Sequence, residues 1–187
     1  MGGTTSALTG GKFANGAITG AFSRAFNDEL EQRNLEREHR LADEAITRSN
    51  AALRSSGAIG HEFDSIGEAS IAFADAVLPI ANELGVEIAS QLTDIGNGKI
   101  LLSLATSNGR VGTVNPFLAP STGAQPIGFI HTHPDAGLLS GWDTSTALSY
   151  VSGSSKVSVG HTVVVNAKGT IAKWNTRTQK QEYVRFR

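Results

Sequence analysis

His131 and His133 stand one residue apart in Gly128-Phe129-Ile130-His131-Thr132-His133-Pro134, at the end of a short apolar run that begins near Gln125. Side chains alternate faces along a strand, so both imidazoles point to the same side. Two ring nitrogens on one face are the beginning of a zinc site, because borderline-soft Zn2+ favours nitrogen ligands. Pro134 stops the strand, and a loop through Asp135 and Gly137 leads to Ser140-Gly141-Trp142-Asp143, which reads as the opening of a helix over Thr144 to Tyr150. A carboxylate in that first turn can swing back to the histidines as a third ligand and leave a fourth position open for water. That is the layout of a catalytic rather than a structural zinc site. Ser140-x-x-Asp143 also spells a capping box. The two readings agree, since a capped helix start fixes Asp143 in place.

His-x-His-Pro followed by Ser-x-x-Asp resembles the motif of the JAMM (JAB/MPN) metalloproteases. The resemblance implies His131, His133 and Asp143 as the ligands of a Zn2+ ion, and Ser140 as a residue that helps hold the tetrahedral intermediate. The loop between His133 and Asp143 is one residue shorter than is usual in that family, so Asp135 stands as a second candidate for the third ligand.

Zinc lowers the pKa of water bound to it to about 7, and peptide hydrolysis further needs a group that takes a proton and returns it to the leaving amine. In the JAMM family that group is a glutamate on an early strand. Glu83 and Glu87 are the candidates here. In one extended strand they would face the same way, roughly 13 Å apart, so only one of them can reach the site. The resemblance of Asn82-Glu83-Leu84-Gly85 to the family pattern favours Glu83, with Glu87 as the alternative.

The likeness extends further. Phe63-Asp64-Ser65-x-x-Glu68-Ala69, Asn82-Glu83-Leu84-Gly85 and Ala167-Lys168-Gly169-x-Ile171 are similar to an uncharacterised JAB-like toxin-tip family at the C-termini of Rhs-type polymorphic toxins, over about residues 60–175. The Gly-rich segment from Gly10 to Phe22 is similar to the stretch that precedes such tips. What this implies is a secreted effector delivered into a target cell, its cytoplasm the expected destination. It would act as a zinc-dependent peptidase or isopeptidase on a peptide or protein substrate. A cognate immunity protein and the parent Rhs shell would be its partners.

Composition is consistent with that reading. With 187 residues the chain is long enough for one domain with an appendage. Its net charge of −1 argues against a nucleic-acid or membrane partner. There is no cysteine, so a metal must be held by histidine and carboxylate. No apolar run approaches the length of a membrane span, and the N-terminus lacks a signal-peptide pattern.

The elements that must position the site follow from periodicity. Residues 1–22 are small and Gly-rich and read as a linker. Within residues 23–57 a charged helix is expected over 27–54, ended by Ser55-Ser56-Gly57. The domain proper is expected over 58–187. Asp64-Ser65 opens a helix with Ile66, Ala69, Phe73, Ala76, Val77 and Ile80 on one face, which Pro79 should kink or end. Val86 to Ile95 and Lys99 to Ala105 form a hairpin about Gly96-Asn97-Gly98. A second hairpin joins His161–Asn166 to Thr170–Trp174, and Glu182 to Phe186 adds an edge strand. This order gives an α+β fold with a mostly antiparallel sheet flanked by helices. The resemblance implies the layered JAB/cytidine-deaminase arrangement.

His39, His61 and His161 read as solvated or structural, and Trp142 as packing or a groove wall. Two rival functions remain: a metal-dependent hydrolase of another class, such as a nuclease, and a non-catalytic JAB-like binding module.

Overall fold

The computed structural model describes residues 13–115, 126–135, 137–141, 143 and 160–185; for 13–23 and 25 it describes the backbone alone. Two compact units divide the chain, Met1–Glu38 and His39–Arg187. Helix α1, Phe13–Ser55, supplies residues 13–38 to the first and 39–55 to the second. It starts well before the expected 27–54 and takes in part of the segment expected as linker. Nucleation is the costly step of helix formation, and each further residue then adds a hydrogen bond, so an established helix extends into Ala-containing sequence despite Gly16 and Gly20. In the first unit Phe26, Leu30 and Leu35 are exposed, with Arg33 paired to Glu29 at 2.6 Å.

The second unit holds the core. Helix α2, Ile66–Leu84, begins where Ser65 accepts from the Glu68 amide while Glu68 accepts from the Asp64 amide (3.1 and 3.0 Å). It closes on Gly85, whose φ of 65° is the left-handed conformation that ends helices. Ala69, Phe73, Val77 and Ile80 are buried along one face, as the periodicity predicts. Pro79 does not end this helix: it lies on the exposed side, and the helix runs on to Leu84. A proline inside a helix costs about 3 kcal/mol, and burial of Ile80 just beyond it returns about 2 kcal/mol.

Six strands form one mixed sheet in the order β2-β1-β3-β4-β5-β6. They are β1 Ala89–Asp94, β2 Ile100–Leu102, β3 Pro126–His133, β4 His161–Asn166, β5 Ile171–Asn175 and β6 Lys180–Arg185. The coarse α+β class is therefore as expected, and every strand pair but one is antiparallel. The exception joins β3 to β4 at the centre of the sheet, where His131 lies opposite Val164 and His133 opposite Asn166. Ile130, Val163, Val165 and Leu92 meet Phe73 and Val77 of α2 in the core. Phe129, Val164, Ala172 and Trp174 are buried as well, though outside that cluster. In register they share a face with His131. Both faces of the central strands are thus closed to water, which suits the Val-rich run of β4.

The expected hairpins form at Gly96-Asn97-Gly98, all three at positive φ, and at Ala167-Lys168-Gly169. The end of α1 is held by Asn50, which bonds both ways with the Ala105 backbone (2.7 and 3.2 Å). Among the described residues no helix is long and apolar enough to cross a membrane. The helix expected over Thr144 to Tyr150, and Trp142, lie outside the described residues.

Candidate metal centre

β3 delivers the two histidines as its alternation requires, and Pro134 ends the strand beside them. His131 is buried and His133 and Asp143 half-buried. Gly141 and Asp143 are helical, and Ser140 caps that start: its Oγ accepts from the Asp143 amide at 3.3 Å. Asp143 reaches back, with Oδ2 accepting from the Ser140 amide and hydroxyl at 2.6 and 2.7 Å. Its other oxygen, Oδ1, is left 3.0 Å from His131 Nε2. The cap and the candidate carboxylate ligand are one device.

The ligand atoms converge. His131 Nε2 and His133 Nε2 are 3.1 Å apart, and His133 Nε2 is 3.7 Å from Asp143 Oδ2. A tetrahedral zinc site with bonds of about 2.0–2.1 Å has ligand–ligand edges of about 3.3 Å. The separations of His131 Nε2 from His133 Nε2 and from Asp143 Oδ1, 3.1 and 3.0 Å, lie close to that value, while the 3.7 Å contact of His133 is with the second carboxylate oxygen. Two imidazole nitrogens and a carboxylate oxygen turned on one point form a donor set that can hold a metal ion, and they suit a borderline cation. Asp135 is not part of it: its Oδ1 accepts from the Gly137 amide at 2.8 Å in a turn. Among the described residues His131 Nδ1, buried, has no hydrogen-bond partner.

The electrostatics point the same way. Burial opposes the charge on Asp143, but hydrogen bonds from His131 and His133 outweigh it and hold the carboxyl well below the usual range. Burial likewise opposes a charged His133, and its pairing with Asp143, with smaller help from Glu87 and Asp135, raises it above the ordinary histidine value. A site that favours positive charge on His133 is one in which a cation is stabilised.

The two glutamates part company. Glu83 belongs to α2, not to the strand, because the chain stays helical to Leu84. It is exposed, and both its oxygens are gripped by Arg48 at 3.0 and 2.5 Å, which holds its carboxyl below the ordinary range. That corrects its expected place beside the histidines. Glu87 instead stands there: buried, with Oε1 3.8 Å from His133 Nε2. Burial pushes its carboxyl up, partly offset by the histidines and by the Gly112 amide.

Ser140 is at the site but turned to Asp143. In this arrangement it orients the Asp143 carboxylate; stabilising an oxyanion would require its hydroxyl to rotate away. His161 sits at the far end of β4, bonded to Asn175 at 3.0 Å, and His61 packs edge-on against Phe63. Neither joins the centre. Sequence reasoning overlooked Thr132 and Ser107, whose hydroxyls bond to the Ile88 N–H and the Glu87 carbonyl. For Thr132 the signal available was its place between the two histidines, and for Ser107 the sequence held none.

No protein-family model matches the chain, and no curated protein is detectably similar to it in sequence.

Proposed function

We propose that this chain is a zinc-dependent hydrolase of the JAMM type that cleaves peptide or isopeptide bonds. The observation that carries the reading is the convergence of His131, His133 and Asp143 with a buried fourth group, Glu87, at 3.8 Å from His133. A zinc ion held by the first three supplies an electrophile that acidifies water and polarises a carbonyl. Glu87 has the place and character of the general acid/base: its upward-shifted carboxyl is matched to proton transfer nearer neutral pH than an ordinary glutamate. It accepts the proton that water loses as the new C–O bond forms, and passes it to the amine nitrogen as the C–N bond breaks. Ser140 holds Asp143 in its ligand orientation, and Arg48 keeps Glu83 out of the chemistry.

In this proposal the sheet and α2 form a JAB-like domain, and the chain is the toxic tip of a secreted effector. It is delivered into a target cell by a parent Rhs protein and neutralised in the producer by an immunity protein. The resemblance of the His-Thr-His-Pro and Ser-x-x-Asp segments supports that wider role. The near-neutral net charge of −1 makes a nuclease the weaker reading.

The test is hydrolysis of peptide and isopeptide substrate libraries by the zinc-loaded protein. Cleavage should be abolished by a chelator and restored by zinc, with Glu87→Gln as the inactive control. Chelator-sensitive cleavage of nucleic acid but not of peptides would move the chain to the other hydrolase class.

A further inference from the structure

The peptide unit that joins Glu87 to Ile88 is pinned at both ends by side-chain hydroxyls. Its carbonyl, that of Glu87, accepts from Ser107 Oγ at 2.6 Å. Its N–H, that of Ile88, donates to Thr132 Oγ1 at 3.0 Å. Thr132 is fully buried and lies between the two histidines of the centre.

This is a departure from regular sheet. The β1–β3 ladder reaches Ala89 opposite His131. One step further, Thr132 donates its amide to the Ile88 carbonyl at 3.0 Å. In an ordinary hydrogen-bonded pair the return bond would run from the Ile88 N–H to the Thr132 carbonyl. The Thr132 hydroxyl takes that N–H instead, and the chain leaves the ladder at the point where Glu87 begins. The Glu87 amide then donates to the Arg110 carbonyl at 2.9 Å. Because a peptide unit is planar, anchoring both its ends fixes ψ of Glu87 and φ of Ile88 together. The direction of the Glu87 side chain is thereby tied to the strand that carries His131 and His133.

We propose that the Thr132 and Ser107 hydroxyls are positioning groups that aim the Glu87 carboxylate at the metal centre. The proposal rests on the metal-site reading above. It assigns Thr132 a role set by its hydroxyl rather than by its size, which valine would match, and it explains why neither hydroxyl needs to touch the metal.

Cobalt(II) is the probe, because its visible spectrum reports the surroundings of the ion without any substrate. Wild type, Thr132→Val, Thr132→Ser, Ser107→Ala and Glu87→Gln are each loaded with cobalt, and zinc affinity is measured by chelator competition. Thr132→Val and Ser107→Ala should keep zinc affinity within about tenfold of wild type, short of the larger losses, up to about 100-fold, seen when a partner of a ligand is removed. Their cobalt spectra should move toward that of Glu87→Gln, while Thr132→Ser keeps the wild-type spectrum. Adding Thr132→Val to Glu87→Gln should change the spectrum no further. Wild-type spectra in folded Thr132→Val or Ser107→Ala, against an altered Glu87→Gln, would overturn the positioning role and leave the metal site standing. If wild type takes up no cobalt, the metal-site reading itself fails and the proposal falls with it.

Discussion

Glu87 Oε1 lies 3.8 Å from His133 Nε2, although one residue follows helix α2 and the other ends strand β3. The sheet brings them together through the Ile88–Thr132 contact. Glu83, close by in sequence, is carried off by the helix onto Arg48.

That separation sets the first prediction. With a cleavable substrate in hand, Glu87→Gln should lower kcat by about 10²–10⁴-fold, the usual range for a general acid/base, and retain the metal. Glu83→Gln should change kcat less than about twofold, since an exposed ion pair is worth little. Steady-state kinetics of the two variants side by side decides between them.

A second prediction concerns stability of the metal-free protein. Burial raises the Glu87 pKa in the fold above its unfolded value, so the folded state holds that proton more tightly. The contribution to stability is complete below the unfolded pKa of about 4.3 and is lost as pH rises through the folded pKa. Metal-free Glu87→Gln should therefore melt higher than metal-free wild type at pH 7 to 8, with the gap closing toward pH 4. Thermal unfolding at several pH values reads this directly, and an unchanged gap across the range would contradict it.

Zinc affinity should also follow pH. A proton on His133 Nε2 occupies the place of the metal, and pairing with Asp143 raises the pKa of His133 once its burial is outweighed. Competition therefore begins above the ordinary histidine value of about 6.5, and affinity falls as pH drops through the raised value, approaching about tenfold per pH unit below it. Chelator competition from pH 8 to pH 5.5 should show the fall setting in above about 6.5 rather than at it.

Ser140→Ala removes the hydroxyl that both caps the helix start and donates to Asp143. Loss of the cap should cost about 1 kcal/mol, and loss of the bond to a ligand about 10–100-fold in zinc affinity. Metal binding should weaken, not vanish, whereas Asp143→Ala should abolish it.

What was legible in the sequence was whatever rests on local rules. Alternation placed His131 and His133 on one face, turn chemistry found both hairpins, and a serine three residues before Asp143 announced the cap. The α2 stripe was readable from Phe73 and Val77. Which glutamate stands beside the histidines was not, because the places of Glu83 and Glu87 turn on where α2 stops, and neither Pro79 nor Gly85 settles that locally. Pro79 sits on the exposed side, where the buried residues beyond it keep the helix intact. The Thr132 hydroxyl bond was likewise hidden, since it depends on a strand pairing across the sheet. The early start of α1 came from propagation, which composition alone does not reveal.

The central claim is that His131, His133 and Asp143 hold a zinc ion. Elemental analysis of purified wild type and of His131→Ala/His133→Ala tests it most directly. The account predicts about one zinc per chain in the wild type, as a single three-ligand site requires, and none in the double variant. A wild type that remains free of zinc after the metal is offered would contradict it.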